Sequence, residues 1–317
     1  MSRLENALID LAASQHGMLT TQQLKKAGKS PADLVALVGS KVLTHPGRGL
    51  YSVADQVAED QVRRHRQLVA GAFLLYPDAI LTSISTVLAH GLPTWATPVG
   101  KPSLLRPRNR SGGVKAFAIR RVLNRPEAVE SPWGPTVPLP DALAQHAIDH
   151  GTVQGVISLD EALRLGKVSM AEMEEVAQRV ASWPGSSRVR AMNELGDGRR
   201  ESVGESRTGV TLSFLGFEVV PQVKIFDRGG QLVARVDFLI KGTRVVIEFD
   251  GRIKYLDDDQ TERQDRRLTL FDEKRREDRL RELGYVVVRL VWSDLNNPAR
   301  IAAKLRAALA LDAARTA

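Results

Sequence analysis

The stretch VARVDFLIKGTRVVIEFDG, residues 233–251, decides how the last third of this 317-residue chain is interpreted. Two runs rich in β-branched and aromatic residues flank Lys241-Gly242-Thr243, a pattern that predicts two strands joined by a tight turn. Both runs are strongly apolar and are expected to be buried, yet they contain the acids Asp237 and Glu248. A buried carboxylate costs several kcal/mol unless it is paired or binds a cation.

The acids of this hairpin are expected to converge. Asp237 and Glu248 lie on adjacent strands, and Asp250 shares a face with Glu248 because strand side chains alternate. Converging oxygen ligands with few nitrogens suit a hard cation, so the hairpin predicts a Mg²⁺ or Mn²⁺ site. The alternative is a buried salt bridge to Arg235 or Arg244, which lie on the same two strands.

The segments around the hairpin complete an αβ core with a mixed sheet. Apolar spacing and glycine positions predict these further elements: a helix at 205–215, a strand at 218–223, a long charged helix from 252 to about 283, a strand at 285–290 and a helix from 298 to about 311. Charges three and four residues apart in the long helix favour a solvent-exposed face.

Together these segments resemble the Vsr-like branch of the PD-(D/E)XK endonuclease superfamily, in particular actinobacterial proteins of unknown function that share its core. The resemblance covers about 110 residues and is more specific as a set than in any single piece. It rests on Gly204-Glu205-Ser206-Arg207, Ala234-Arg235-Val236-Asp237, Glu248-Phe249-Asp250-Gly251 with Lys254-Tyr255, residues 273–281, and Val288-Arg289-Leu290-Val291-Trp292. It implies a restriction-endonuclease-like core over residues 188–317.

The resemblance also implies metal-dependent hydrolysis of phosphodiester bonds in DNA. Asp237 and Glu248 would bind Mg²⁺, or Mn²⁺, together with the backbone carbonyl of Phe249. Glu205 would contribute through water or a second cation. The cation would activate a water and stabilise the charge on the scissile phosphate.

One position departs from the superfamily pattern. The lysine that orients the attacking water normally stands two residues after the strand glutamate, and this chain has Asp250 there. Lys254 or Lys274 would then have to supply the ammonium group. The chain is accordingly either a nuclease or a nuclease-like domain that only binds.

The first 56 residues predict three short helices and a hairpin. Thr20 and Ser30 are suited to cap the second and third helices, and Pro46-Gly47-Arg48-Gly49 forms the hairpin turn. This order predicts a winged helix-turn-helix, and it resembles the winged-helix domain of AbiEi-type antitoxins of type IV toxin–antitoxin systems. Five basic residues are candidates for phosphate contacts: Lys25, Lys26, Lys29, Lys41 and Arg48.

Positive charge is concentrated in the middle of the chain. The net charge is +8, and residues 61–150 hold eleven basic against five acidic side chains. From residue 101 to residue 125 there are eight basic residues and no acid, which favours a polyanion partner, although a solvated loop explains the pattern equally well. The nucleic-acid candidates here are Arg106, Arg108, Arg110, Arg120 and Arg121.

The middle of the chain also predicts its own secondary structure. Short strands are expected at 117–119 and 137–139, with helices starting at Asp141, after a capping Ser158 and after a capping Ser169. The resulting organisation is multidomain and α+β. It comprises a winged helix at 1–56, an α+β middle domain at 57–155, a helical connector at 156–187 and the nuclease-like domain at 188–317.

Several classes of protein are excluded by composition. The chain has no cysteine, so it has no disulfide framework, thiolate metal site or cysteine nucleophile. No apolar run approaches the roughly 18 residues that span a bilayer, and the first residues lack a signal-peptide pattern, so a cytoplasmic location is expected. Two functions remain. One is a metal-dependent DNA endonuclease or nuclease-like protein of defence or repair, with a partner toxin or defence protein. The other is a non-enzymatic, antitoxin-like DNA-binding regulator.

Overall fold

A computed structural model of the chain describes residues 4–106, 115–121, 127–251 and 274–316. The chain forms two compact units. The first consists of Met1–Ser158 and Lys167–Asn193, and the second consists of Leu159–Gly166 and Glu194–Ala317. The architecture is mixed α+β, as the sequence predicts. None of the helices in the described part of the chain is long and apolar enough to cross a membrane.

The N-terminal part of the first unit is a winged helix. Its elements are α1 (Asn6–Ser14), β1 (Met18–Thr20), α2 (Thr21–Lys26), α3 (Pro31–Gly39), β2 (Leu43–Gly47) and β3 (Leu50–Val53). Capping boxes at Thr20 and Ser30 start α2 and α3. Strand β1 was not predicted, and it pairs with β3 to give the sheet order β1-β3-β2. The predicted helices and hairpin are confirmed.

Six helices and a small sheet follow the wing in the described part of the chain. They are α4 (Gln61–Leu75), β4 (Ile80–Leu81), α5 (Ser83–Ala89), β5 (Ser103–Arg106), β6 (Ala118–Arg121), α6 (Leu139–His150), α7 (Thr152–Arg164), α8 (Met170–Arg179) and α9 (Ser186–Leu195). The sheet has the order β4-β5-β6. A capping box at Ser169 and Glu172 starts α8, as predicted.

Two local predictions in this region are wrong. The strand expected at 137–139 does not form, because Pro138 has no N–H for a ladder and Leu139 already begins α6. Ser158 does not start a helix, because α7 runs through it without interruption. Its hydroxyl donates to the carbonyl of Pro93 at 2.8 Å, so it serves a tertiary contact and not a cap.

The second unit is built on a four-stranded mixed sheet. Its elements are α10 (Val203–Phe214), β7 (Val219–Phe226), β8 (Leu232–Ile240), β9 (Val245–Asp250), α11 (residues 274–282), β10 (Val286–Val291) and α12 (Pro298–Thr316). The strand order is β10-β9-β8-β7, with β10 parallel to β9 and the other pairs antiparallel. The part of the predicted long helix at 252–273 lies outside the described residues.

Each face of this sheet has its own helical cover. On one face Phe238 and Ile247 pack with Ile301 of α12. Val246, with Leu239 beside it, packs against Leu280 of α11 in a separate cluster. Since side chains alternate along a strand, the acids of the hairpin share the second face with α11.

Candidate functional site

The register of β8 and β9 brings the two central acids together. Phe238 lies opposite Ile247 and Leu239 opposite Val246, which places Asp237 opposite Glu248 on the α11 face of the sheet. One oxygen of Asp237, Oδ2, accepts the backbone N–H of Phe249 at 2.7 Å. This bond fixes the orientation of the Asp237 carboxylate relative to the end of β9.

An open cleft of about 330 Å³ lies over this pair. Acidic and basic side chains share its wall, so the cleft can hold a cation and an anion side by side. Its lining residues are Asp237, Glu248, Phe249, Asp250, Gly251, Arg276 and Arg289. The two arginines were not among the residues predicted from the sequence.

Arg276 pairs directly with Glu248. Its Nη2 lies 3.0 Å from Oε1 and 3.1 Å from Oε2 of that carboxylate. The sequence suggested Arg235 or Arg244 as the alternative partner. However, the guanidinium of Arg235 binds Glu201 at 2.7 Å, and that of Arg244 lies beside Gly284, where an added Cβ would come 2.8 Å from Nη1. The salt bridge that was predicted as the alternative therefore exists with a different arginine.

Arg289 reaches the cleft from the neighbouring strand. In the parallel β10–β9 pair it stands opposite Glu248. Its guanidinium lies 2.9 Å from the carboxylate of Glu277 on α11. Two ion pairs thus join α11 to the sheet. In one the helix supplies the arginine, Arg276, and in the other it supplies the acid that pairs with Arg289.

The environment of Asp237 disfavours its charge. Burial raises the pKa of Asp237 to about 6. The N–H of Phe249 and the charge of Arg276 oppose this rise, while the carboxylates of Glu205 and Glu248 add to it. A cation bound between the acids would stabilise the ionised form, which is the behaviour expected of a ligand-binding carboxylate.

Glu205 is held by the start of its own helix. Its Oε1 accepts the hydroxyl of Ser202 at 2.8 Å, and its Oε2 accepts the N–H of Glu201 at 3.0 Å and the amide of Gln222 at 2.8 Å. Both oxygens therefore have structural partners. Glu205 acts on Asp237 through its charge, and the described geometry gives it no direct place in the cleft wall.

The two lysines proposed from the sequence are not placed in the cleft. Lys254 lies outside the described residues, and Lys274 is exposed at the first described position of α11. Lys274 is not among the residues that line the cleft, whereas Asp250, at the usual lysine position, is. Among the described residues, the basic side chain that contacts the acid pair is Arg276, which lies 3.0 Å from Glu248.

The donor set fits a hard divalent cation. Asp237, Glu248 and Phe249 line one cleft, so two carboxylates face a cation there, and the resemblance adds the Phe249 carbonyl as a third ligand. Among the described residues, no group of three or more acidic or histidine side chains gathers as a complete metal cage. Mg²⁺ does not require one, because it keeps several waters and is commonly bound by one or two carboxylates and substrate phosphates.

The predicted nucleic-acid residues of the middle segment are partly engaged within the protein. Arg106 lies 4.2 Å over the ring of Tyr76 and 2.8 Å from Asp78. Arg120 forms an ion pair with Asp149. Arg121 stands opposite Arg106 in the β5–β6 pair. The remaining two candidates, Arg108 and Arg110, lie outside the described residues.

The basic residues of the winged helix are mostly at the surface. Lys25 and Lys26 are exposed in the last turn of α2, and Lys41 and Arg48 are exposed on either side of β2. Lys29 differs from these four, because its ammonium lies 2.8 Å from the carboxylate of Glu5. Four of the five predicted phosphate contacts are thus accessible.

A glycine of α10 supports the floor of the cleft. A Cβ atom on Gly204 would lie 2.0 Å from Cε1 of Phe249. The Phe249 ring also meets the ring of Trp292 edge-on at 5.0 Å, so it has little room to withdraw. Only glycine lets α10 approach β9 this closely.

Gly204→Ala is therefore expected to destabilise the second unit by about 1–3 kcal/mol, through the strain of overpacking. Urea unfolding of the full chain measures this loss. Gly39→Ala is the control, because a Cβ there meets no atom within 4 Å. An unchanged unfolding midpoint for Gly204→Ala would show that the Phe249 ring repacks freely.

One comparison with known protein families gives a match in the N-terminal part of the chain. Residues 6–54 match the family model described as "Transcriptional regulator, AbiEi antitoxin". This supports the resemblance of the winged helix to AbiEi antitoxins. No curated protein matches the chain significantly.

A solved structure gives a weak similarity only. The RV2827C protein from Mycobacterium tuberculosis shares 16% sequence identity and a TM-score of 0.38 with this chain. The alignment covers 71% of this chain and 90% of that one. At this level the similarity does not bear on the fold or the function of the second unit.

Proposed function

We propose that this chain binds DNA through its winged helix and hydrolyses phosphodiester bonds at the Asp237/Glu248 cleft, as a metal-dependent endonuclease of the Vsr-like PD-(D/E)XK type. The observation that carries the proposal is the pair of acids facing each other across β8 and β9 in a cleft that also contains two arginines. Acids of this kind bind a divalent cation, and arginines bind phosphate.

Each residue of the cleft has its own role in the proposed hydrolysis. A bound Mg²⁺ or Mn²⁺ would supply an activated water and neutralise charge on the scissile phosphate. Asp237, Glu248 and the Phe249 carbonyl would hold it. The N–H of Phe249 keeps the Asp237 carboxylate in place. Asp250 lines the same cleft, where its carboxylate can accept a hydrogen bond from the attacking water and take its proton.

The winged helix would bring the duplex to the protein. Its exposed Lys25, Lys26, Lys41 and Arg48 are suited to phosphate contacts, which position a protein on DNA without reading its sequence. The AbiEi-type domain supports a regulatory role with a toxin or another defence protein as partner, and we propose that this role is cytoplasmic.

A second function is favoured by specific observations. The family match covers a regulator domain, Asp250 replaces the usual lysine, and Arg276 already pairs with Glu248. These features suit a DNA-binding transcriptional regulator of the antitoxin type whose nuclease-like unit does not cut.

Incubation of the purified full chain with supercoiled plasmid separates the two functions. With Mg²⁺ or Mn²⁺, nicked and linear plasmid are expected, and EDTA is expected to prevent both products because it removes the cation. Duplex binding is measured in parallel by a gel-shift assay. Tight binding without any cut product in either metal would overturn the nuclease and leave the regulator.

A further inference from the structure

Arg276 takes the place that a cation would need at Glu248. One guanidinium nitrogen lies within hydrogen-bond distance of both carboxylate oxygens, at 3.0 and 3.1 Å. A guanidinium remains protonated in proteins and cannot ligate a metal, but it can neutralise the same carboxylate. Arg276 and a divalent cation therefore compete for Glu248.

We infer that Arg276 is an internal counter-ion, which Glu248 exchanges for a divalent cation when a nucleic-acid phosphate enters the cleft and binds the guanidinium. This inference rests on the proposed function and adds a binding order to it. DNA and the cation would each strengthen the binding of the other, and the free protein would hold the cation weakly.

The exposure of the two partners shows which one can move. The Glu248 side chain is 12% exposed, whereas that of Arg276 is 38% exposed. Glu248 cannot turn into water without leaving the sheet. Arg276 can swing outward along the surface of α11 and keep its charge solvated.

Helix α11 itself need not move for this exchange. Leu280 anchors it in the cluster with Val246, and Glu277 holds Arg289 at 2.9 Å. The exchange is therefore a side-chain event, confined to the residue that precedes Glu277 in the helix.

Two arginines give the cleft the positive charge that attracts a phosphate. Arg289 lines the cleft beside Arg276, so two guanidinium groups meet an anion there. A phosphate can accept two parallel hydrogen bonds from one guanidinium, which is a stronger contact than the single-nitrogen contact to Glu248.

The exchange predicts a measurable coupling. If DNA removes the competitor of the cation, the cation must raise the affinity for DNA by the same factor. Couplings of this kind are typically about 5- to 150-fold, and about tenfold is expected here because one ion pair is exchanged.

Calorimetric titration of Mn²⁺ into the full chain without DNA tests the exchange. Arg276→Gln is expected to bind Mn²⁺ about tenfold more tightly than the unchanged protein, since the competitor is gone. Arg281→Gln is the matched control. It removes an arginine of the same helix that pairs with Glu277 and Asp278, and it should leave the affinity unchanged.

The same titration is repeated with a short duplex present, and the duplex is verified as intact on a gel afterwards. DNA should raise the Mn²⁺ affinity of the unchanged protein by a factor about tenfold larger than that of Arg276→Gln, because phosphate ligation acts in both proteins and the exchange only in the first. Equal Mn²⁺ affinities for both proteins, with binding lost in Glu248→Gln, would overturn the exchange and leave the metal site standing. Absence of Mn²⁺ binding in all of them would remove the proposed function, and the exchange with it.

Discussion

Asp237→Asn is expected to abolish metal-dependent nicking of plasmid while the protein stays folded. The substitution replaces a charged oxygen ligand by a neutral amide of the same shape. Loss of one group that stabilises charge in a transition state typically costs about 10²- to 10³-fold in rate, and loss of a metal ligand should cost at least as much. Glu248→Gln is expected to do the same.

The stability of Asp237→Asn distinguishes a functional carboxylate from a structural one. Burial raises the pKa of Asp237 to about 6, so the charge at neutral pH is unfavourable in the fold without a cation. Asparagine can still accept the N–H of Phe249, the bond that orients Asp237. The variant should therefore be at least as stable as the unchanged protein in EDTA.

Nicking rates and thermal melting in EDTA measure these two effects. Glu218→Gln is the control, because its carboxylate is 79% exposed and pairs only at the surface with Lys241. It should change neither nicking nor melting. Asp237→Asn that nicks at the normal rate would show that Asp237 is not a ligand. A large drop in its melting temperature would make Asp237 a structural residue.

The central hairpin could be predicted because its signals are local. Alternating burial, a turn glycine and the distance of each acid from that turn determine that Asp237 faces Glu248. Helix caps are local as well, and those at Thr20, Ser30 and Ser169 were predicted correctly. Each of these depends on residues a few positions apart.

The arginines of the cleft could not be found in the same way. Arg289 stands opposite Glu248 because of the register between β10 and β9, and Arg276 contacts Glu248 because α11 packs on the face that carries the acids. Both facts depend on how distant segments meet. The many charges of the 273–281 segment gave no means to distinguish Arg276 from its neighbours.

A local signal gave a wrong prediction where a side chain suited to a helix cap makes a tertiary contact instead. Serine is a common N-cap residue, yet the hydroxyl of Ser158 donates a hydrogen bond to the carbonyl of Pro93, and α7 continues through this position. Glu205 belongs to the motif of the resemblance, and the residues that start α10 also bind both of its oxygens, so its contribution through water or a second cation stays a prediction. A side chain that suits two roles is assigned only by its neighbours in space.

Arg200→Met is expected to lower the stability of the second unit by about 3–5 kcal/mol, because it leaves a buried carboxylate without its counter-ion. Arg200 lies 3.0 Å from Asp160, and their side chains are 8% and 1% exposed. Asp160 also accepts the backbone N–H of Asp197 at 2.7 Å. The guanidinium lies so close to Gly209 that a Cβ there would come within 2.5 Å of Nε.

This ion pair holds the segment that leads into the site. Arg200 precedes Glu201, whose N–H binds Glu205 and whose carboxylate binds Arg235 of β8. Loss of Arg200 should therefore loosen the start of α10 as well as weaken the unit. The double variant Asp160→Leu/Arg200→Met removes both charges and is expected to recover only part of the stability, because the N–H of Asp197 loses its acceptor.

The loss of folding stability in Arg200→Met should become larger as the pH rises. Burial raises the pKa of Asp160 to about 6, although the charge of Arg200 lowers it. Without Arg200 the pKa must rise further, so the folded variant holds its proton to higher pH. An acid with a raised folded pKa loses stability as the pH rises through that value. Urea unfolding should show a small loss below pH 6 and the full loss near pH 8. Equal losses at both pH values would mean that the packing of Arg200, and not the charge of Asp160, stabilises this segment.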